Sequence, residues 1–333
     1  MRKRSRLFGL AIAALAVPLL GGACSSTGGS ASDALTGKVV VSGSSTVQPI
    51  SELAAEEFHA TAPDVTISVD GPGTGDGFAL FCKGQTDISD ASRPIKDEEK
   101  AACDAAGIKY QELKIGLDGI TVMTNQKNEA VTCLSKADLY ALVGPESTGF
   151  RKWSDANNLD KELGGTGNLP DVPLDITAPG EESGTYDAFI ELALKSIAEE
   201  RGQPEDQTRP DYQSSGNDNV IIQGIEGSDT SFGWVGYAYA EKNVSGGVKV
   251  IQVDGGDGCV APDRTSIANG TYPLSRALYI YVNTAKAKSS KAVKAYVDFY
   301  LEGLKEFTAG AGYVELPDDQ VQATKEAWSS LGL

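Results

Sequence analysis

Three times in this chain a turn rich in glycine and hydroxyl side chains stands directly before a helix with apolar residues at helical spacing. Gly43-Ser44-Ser45-Thr46 precedes a helix from Val47, Gly73-Thr74-Gly75-Asp76-Gly77 one from Phe78, and Glu182-Ser183-Gly184-Thr185 one from Tyr186. The first two follow β-branched runs, Lys38–Ser42 and Val65–Val69. Strand, turn and helix in succession specify an α/β layout. The first backbone N–H groups of a helix lack partners, and the helix dipole favours negative charge there. Glycine lets the backbone approach a ligand closely, and Ser and Thr hydroxyls add donors that can rotate toward an oxyanion. One such turn is explained by helix capping alone. Three in one chain point to an anion site.

A fourth segment, Asp87-Ile88-Ser89-Asp90-Ala91-Ser92-Arg93-Pro94, holds the one cation of the four, Arg93. Its planar fork can pair with an oxyanion through two hydrogen bonds; the competing use is a salt bridge to Asp87 or Asp90. Asp90, or Asp87 in its place, is expected to accept a hydrogen bond from an anion that carries a proton. A fully ionised anion would leave that buried acceptor unpaired and be rejected. Charge-assisted hydrogen bonds contribute roughly 1.5–3 kcal/mol each, and micromolar binding needs about 8 kcal/mol, so a handful of donors suffices without metal or cofactor.

The chain opens with Arg2, Lys3, Arg4 and Arg6, an apolar run Leu7–Leu20, and Gly21-Gly22-Ala23-Cys24. This order reads as a secretory signal over 1–23, with Cys24 the expected site of lipidation; the apolar run is short for a membrane span of roughly 20 residues. Residues 24–36 are Ser/Gly/Ala/Thr-rich and read as a flexible tether. An extracytoplasmic, membrane-anchored location follows. The rest exceeds one comfortable core, so two lobes are expected. The Gly119–Asn125 strand pattern carries the chain into the second lobe and Leu278–Val282 returns it, two crossings that make a hinge. Tyr186–Ala198, Lys291–Phe307 and Pro317–Ser330 read as helices. Cys82, Cys103, Cys133 and Cys259 contain no CxxC pair, and in an exported chain they suggest two disulfides with three connectivities open. Pairing within each lobe gives Cys82–Cys103 and Cys133–Cys259.

Charge and missing motifs exclude several functions. The net charge is −17, and −21 without the four basic residues of the leader, which argues against nucleic-acid binding. Any anion site must then work through short-range donors. The single histidine, His59, lies on a helix beside Glu56 and Glu57 and reads as a surface residue. No GxSxG elbow and no GxxxxGK[ST] loop occur, which disfavours a serine hydrolase or an ATPase. Two rival readings remain: a metal-dependent phosphatase using Asp254, Asp257 and Asp263, and an anchored sensor or adhesin with an aromatic patch of Trp234, Tyr237 and Tyr239.

Together, SGSSTVQPI, GTGDGF, DISDASRPI, DGITVMTN, ESGTYDAF and YPLSRALYIYV resemble the phosphate-binding components of phosphate-specific ABC transporters. The resemblance implies a type II periplasmic-binding fold, two α/β lobes clamping inorganic phosphate in a hinged cleft, with lobe 1 at 37–118 plus 276–333 and lobe 2 at 119–275. It implies a non-enzymatic, monomeric protein that delivers phosphate to membrane permease subunits. Carried over by motif, the ligands are Ser44, Ser45 and Thr46, then Thr74 and Gly75, then Ser92 and Arg93 with Asp90, and Ser183, Gly184 and Thr185 opposite. Many relatives carry an Arg shortly before the SGT motif; here Ala178-Pro179-Gly180-Glu181-Glu182 stands there, and Arg93 is expected to replace that cation.

Overall fold

The β-branched run near the start of the body forms β1 (Gly37–Gly43), and parallel strands flank it on both sides. β2 (Val65–Asp70) pairs with it from Gly37↔Val65 to Ser42↔Asp70, and β3 (Ile88–Ala91) from Val41↔Ile88 to Gly43↔Asp90. The connections are helices: α1 (Gln48–Thr61) buries Ile50, Ala54 and Phe58, and α2 (Thr74–Phe81) buries Phe78 and Phe81. Because the chain moves outward from β1 to β2 and then back across to β3, β1 marks a reversal of strand order, where ligands of open α/β sheets bind beyond the carboxyl ends of the strands. All three strands end at one edge, and the turns of the first, second and fourth segments emerge there together.

The computed structural model describes residues 34–181, 183–244 and 246–333. The leader, Cys24 and the tether as far as residue 33 lie outside the described residues. Leu35–Leu333 forms one compact unit. No helix among the described residues is long and apolar enough to cross a membrane.

After α3 (Asp97–Ala105), β4 (Tyr110–Asn125) runs through both halves of the sheet. Its first part is antiparallel to Ser275–Asn283, down to Ser275↔Gly119; from Ile120 onward its partners are Ser231–Gly236 and Val248–Val250. Ser231–Gly236 lies parallel to Asp175–Ala178, which pairs in turn with Gln213–Ser214. The order is β2, β1, β3, Ser275–Asn283, β4, Ser231–Gly236, Asp175–Ala178, Gln213–Ser214. Two α/β lobes therefore share β4 and the returning strand. A separate three-stranded sheet joins Cys133–Ser135, Gln252–Asp254 and Cys259–Val260, and disulfides link Cys82 to Cys103 and Cys133 to Cys259.

Several elements differ from their sequence patterns for identifiable reasons. β4 starts nine residues before the expected Gly119, because Leu113, Ile115 and Leu117 stand at every second position and bury their side chains on one face. The segment Lys291–Phe307 is two helices, Lys291–Glu302 and Leu304–Gly310, parted at Gly303. The aromatic stretch from Ser231 is a strand to Gly236 and then a helix, Tyr237–Asn243. Trp234 is fully buried and stacks on Phe189 with ring centroids 4.1 Å apart, so core packing accounts for it.

Candidate functional site

The edge where β1, β2 and β3 end is held tight by two glycines. Gly43 has φ +156°, and a Cβ there would lie 2.1 Å from the Asp90 carbonyl oxygen; a Cβ on Gly77 would lie 2.4 Å from Gly43 Cα. No other residue lets the β1 turn, α2 and the end of β3 converge this closely. Backbone hydrogen bonds stitch the turns: Ser44 N–H donates to Asp90 O (2.9 Å) and Gly73 N–H to Gly43 O (2.8 Å). The hydroxyls of Thr74 and Ser92 are hydrogen-bonded at 3.1 Å, and Ser92 N–H donates to Thr74 Oγ1 at 3.2 Å.

These turns line a cavity of about 500 Å³. Its first wall is Ser44, Ser45, Thr46, Gly73, Thr74, Gly75, Ser92, Arg93 and Lys96; its second is Asp187, Glu191 and Lys195, from the helix that Ser183 opens. Seven of the expected residues, Ser44, Ser45, Thr46, Thr74, Gly75, Ser92 and Arg93, are thus brought to one wall of a single space, and the helix that Ser183 opens supplies the other. Arg93 lies over the Phe78 ring at 5.7 Å. Its fork is held by Glu99 through Nη1–Oε2 (2.9 Å) and Nη2–Oε1 (2.8 Å). The salt bridge therefore goes to Glu99, not to Asp87 or Asp90. The Glu99 hydrogen bonds hold the guanidinium above its ordinary pKa against partial burial. Burial works to raise the Glu99 carboxyl, but the bonds from Arg93 and from Lys96 N–H overcome it and the group is lowered.

Three expectations do not match the placement. Asp90 does not line the cavity: it is 0% exposed, and neither carboxylate oxygen has a hydrogen-bond partner among the described residues. Strand alternation turns its side chain under the turn, where burial pushes its pKa up to about 7, with Ser51 opposing and Glu52 adding to the rise. Asp87 is also away from the cavity, accepting from Val40 N–H at 2.9 Å and pairing with Lys286 at 3.4 Å. Ser183 accepts from Thr185 N–H (3.2 Å), capping its own helix. Ser183, Gly184 and Thr185 do not line the 500 Å³ cavity; Thr185 lines a neighbouring one of about 330 Å³ with Asp118, Gly119 and Tyr237.

The residue that sequence reasoning missed is Arg276. It lies on the returning strand opposite Asp118, with its side chain 8% exposed. Nε donates to Asp118 Oδ2 (3.1 Å), Nη2 to Thr46 Oγ1 (3.0 Å), and Nη1 to Glu191 Oε2. Burial works against its charge, and the Asp118 and Glu191 carboxylates more than offset it. Asp118 is itself raised by burial, with Arg276 holding it down only in part. Asp187 is open to the cavity yet enclosed enough by its walls that burial raises its pKa, Arg276 opposing. An arginine inside an otherwise apolar strand, SRALYIYV, was the available signal.

Among the described residues no cluster of His, Cys, Asp and Glu could hold a metal ion. Asp254 accepts from Gly256 and Gly258 N–H, and Asp263 caps the Arg264–Ala268 helix, so both serve local structure.

A family profile described as "PBP superfamily domain" matches residues 28–303. The chain belongs to this superfamily. The protein SphX of Synechocystis sp. is 37% identical over 284 residues, 84% of this chain and 79% of that protein. The phosphate-binding protein PstS of Staphylococcus saprophyticus is 36% identical over 315 residues, 95% of this chain and 91% of that protein. Among solved structures, that of a "possible phosphate binding protein" from Planctomyces limnophilus superposes with a TM-score of 0.79 at 32% identity, covering 89% of this chain and 99% of that one. PstS of Borrelia burgdorferi, at 19% identity and TM-score 0.61, shares the fold.

Proposed function

We propose that this chain captures inorganic phosphate outside the cytoplasm and delivers it to the permease of an ABC importer, acting as a monomeric binding protein and not as an enzyme. The observation that carries this reading is the convergence of three donor-rich turns and Arg93 at one strand edge, facing the second lobe across a single cavity. Its support from relatives is the likeness to PstS over 95% of the chain. Ser44, Ser45, Thr46, Thr74, Gly75, Ser92 and Arg93 supply the first half-site. The proton-sharing role first given to Asp90 passes to Asp187, a carboxylate that does line the cavity. Hydrogen phosphate can donate to it, whereas sulfate would leave it unpaired.

A cavity of about 500 Å³ is wider than a five-atom anion fills, so capture requires the walls to approach. The hinge is proposed where β4 changes partners, between Gly119 and Ile120, and where the returning strand begins at Ser275, with lobe 1 at 37–118 plus 276–333 and lobe 2 at 119–275. Closure would bring Ser183, Gly184 and Thr185 to the anion, phosphate favouring the closed state by its higher affinity for it. Cys24 is proposed as the lipid anchor, tested by loss of labelled fatty acid in Cys24→Ser. Calorimetry against phosphate, sulfate and arsenate at neutral pH tests the central reading: heat with phosphate and little with sulfate is expected, and no heat with phosphate overturns it.

A further inference from the structure

The helix that Ser183 opens does not run on smoothly. Gly184–Phe189 passes through a π turn, Ile190–Leu194, into Lys195–Arg201. Single π turns inside helices are rare and gather at functional positions. Glu191 lies in this one. The inserted residue re-aims the helix face, so that the Glu191 carboxylate accepts from Arg276 Nη1 while the same guanidinium holds Thr46 and Asp118. Glu191 also acts electrostatically on Arg93, whose other carboxylate partner is Glu99. It is therefore the carboxylate, among the described residues, that bears on both guanidiniums of the site.

A negative group on the wall of an anion cavity should repel the ligand. Here it is bonded to one cation, Arg276, and acts on a second, Arg93, with its carboxylate on the cavity wall. Asp118 already pairs with Arg276 on the buried side, at 7% side-chain exposure, whereas Glu191 approaches from the cavity side at 42%. The bond to Asp118 is thus a fixed support, and the bond to Glu191 is the exchangeable one.

Building on the phosphate reading above, we infer that Glu191 is an internal stand-in anion, a latch across the two walls that phosphate must displace from Arg276. The Glu191–Arg276 bond stabilises the protein before capture and is lost on capture, so it subtracts from the apparent affinity. It also leaves Arg276 a partner ready to take the anion's place during release. Glu191 sets affinity without adding a contact to the bound ligand.

The test is titration calorimetry of the full chain with inorganic phosphate at pH 7.5, comparing Glu191→Gln with the unaltered protein. The expected result is binding at least fivefold tighter in the variant; equal or weaker binding overturns the inference. Small-angle X-ray scattering of both proteins, dialysed free of phosphate, gives a readout that needs no ligand. The variant should show the larger radius of gyration, and an unchanged value removes the latch. If neither protein takes up phosphate, the phosphate reading fails while the scattering result still decides the latch.

Discussion

Arg276 and Asp118 face each other on antiparallel strands, Nε to Oδ2 at 3.1 Å, at the point where β4 leaves one lobe's sheet for the other's. A charge pair with both side chains below a tenth exposed is costly to build and costlier to break, because removing one partner strands the other in a low-dielectric site. Arg276→Met should therefore lower stability by about 3–5 kcal/mol, measured by urea unfolding at neutral pH. Burial already raises the Asp118 pKa, and without Arg276 it rises further. The loss should then be smaller at pH 5, where the stranded carboxyl can take a proton, than at pH 8. Asp118→Asn in the same chain should recover a good part of it; a double variant no more stable than Arg276→Met would show that the pair is not the cause.

In the proposed site Arg93 is the exposed cationic contact for the anion, so Arg93→Ala should weaken phosphate binding at least tenfold, about 1.4 kcal/mol, in calorimetry. The fork is oriented by Glu99. Glu99→Gln should accordingly cost less than Arg93→Ala, because the charge remains while its aim is lost. Unchanged binding in Arg93→Ala would move the cationic role to Lys96, Lys195 or Arg276.

Much of this architecture was readable before any coordinates. β1, β2 and the start of α1 fall within a residue of their sequence patterns, since β-branched runs and apolar helical spacing are local signals. The turns of the first wall were legible for the same reason: each is written in consecutive residues. Arg276 was not, because its partners Thr46, Asp118 and Glu191 lie 230, 158 and 85 residues away, and no local pattern announces such meetings. Asp90 misled for a geometric reason. It sits two residues before Ser92, but β3 sends its side chain toward α1 and the Lys291–Glu302 helix instead of into the turn. Tyr186–Ala198 showed a helical face, yet the π turn that aims Glu191 leaves no mark in apolar spacing.

The burial of Asp90 has a measurable consequence for stability. Its neighbours are Ser51 and Glu52 on α1 and Tyr296 and Tyr300 on the Lys291–Glu302 helix, and among the described residues no cation acts on it. The pKa rises from 3.8 to about 7, so the folded protein holds a proton that the unfolded chain releases between these values. A raised carboxyl favours folding relative to the ionised form only at low pH: its penalty is absent below pH 3.8, grows through the interval, and is complete above pH 7. The full penalty is roughly 4 kcal/mol at about 1.4 kcal/mol per pH unit. Asp90→Asn should then stabilise the protein more at pH 8 than at pH 5, read as the difference in urea midpoints. A larger gain at pH 5 would contradict the buried, unpaired placement.

The two disulfides should differ in what their removal costs. Cys82–Cys103 spans 21 residues of sequence and Cys133–Cys259 spans 126. A cross-link restrains the unfolded chain by an amount that grows with the logarithm of the loop it closes, which gives about 3 kcal/mol for the short loop and about 5 kcal/mol for the long one. The long bridge also fastens the small sheet, joining Cys133 on one of its strands to Cys259 on another. Replacing Cys133 and Cys259 by Ser should therefore lower stability by roughly 2 kcal/mol more than replacing Cys82 and Cys103, and both double variants should still bind phosphate, since neither bridge is among the residues lining the cavity. If the short bridge proved the costlier to lose, loop closure would not be the dominant effect, and the packing of Cys82 and Cys103 beside Phe78 and Phe81 would have to be.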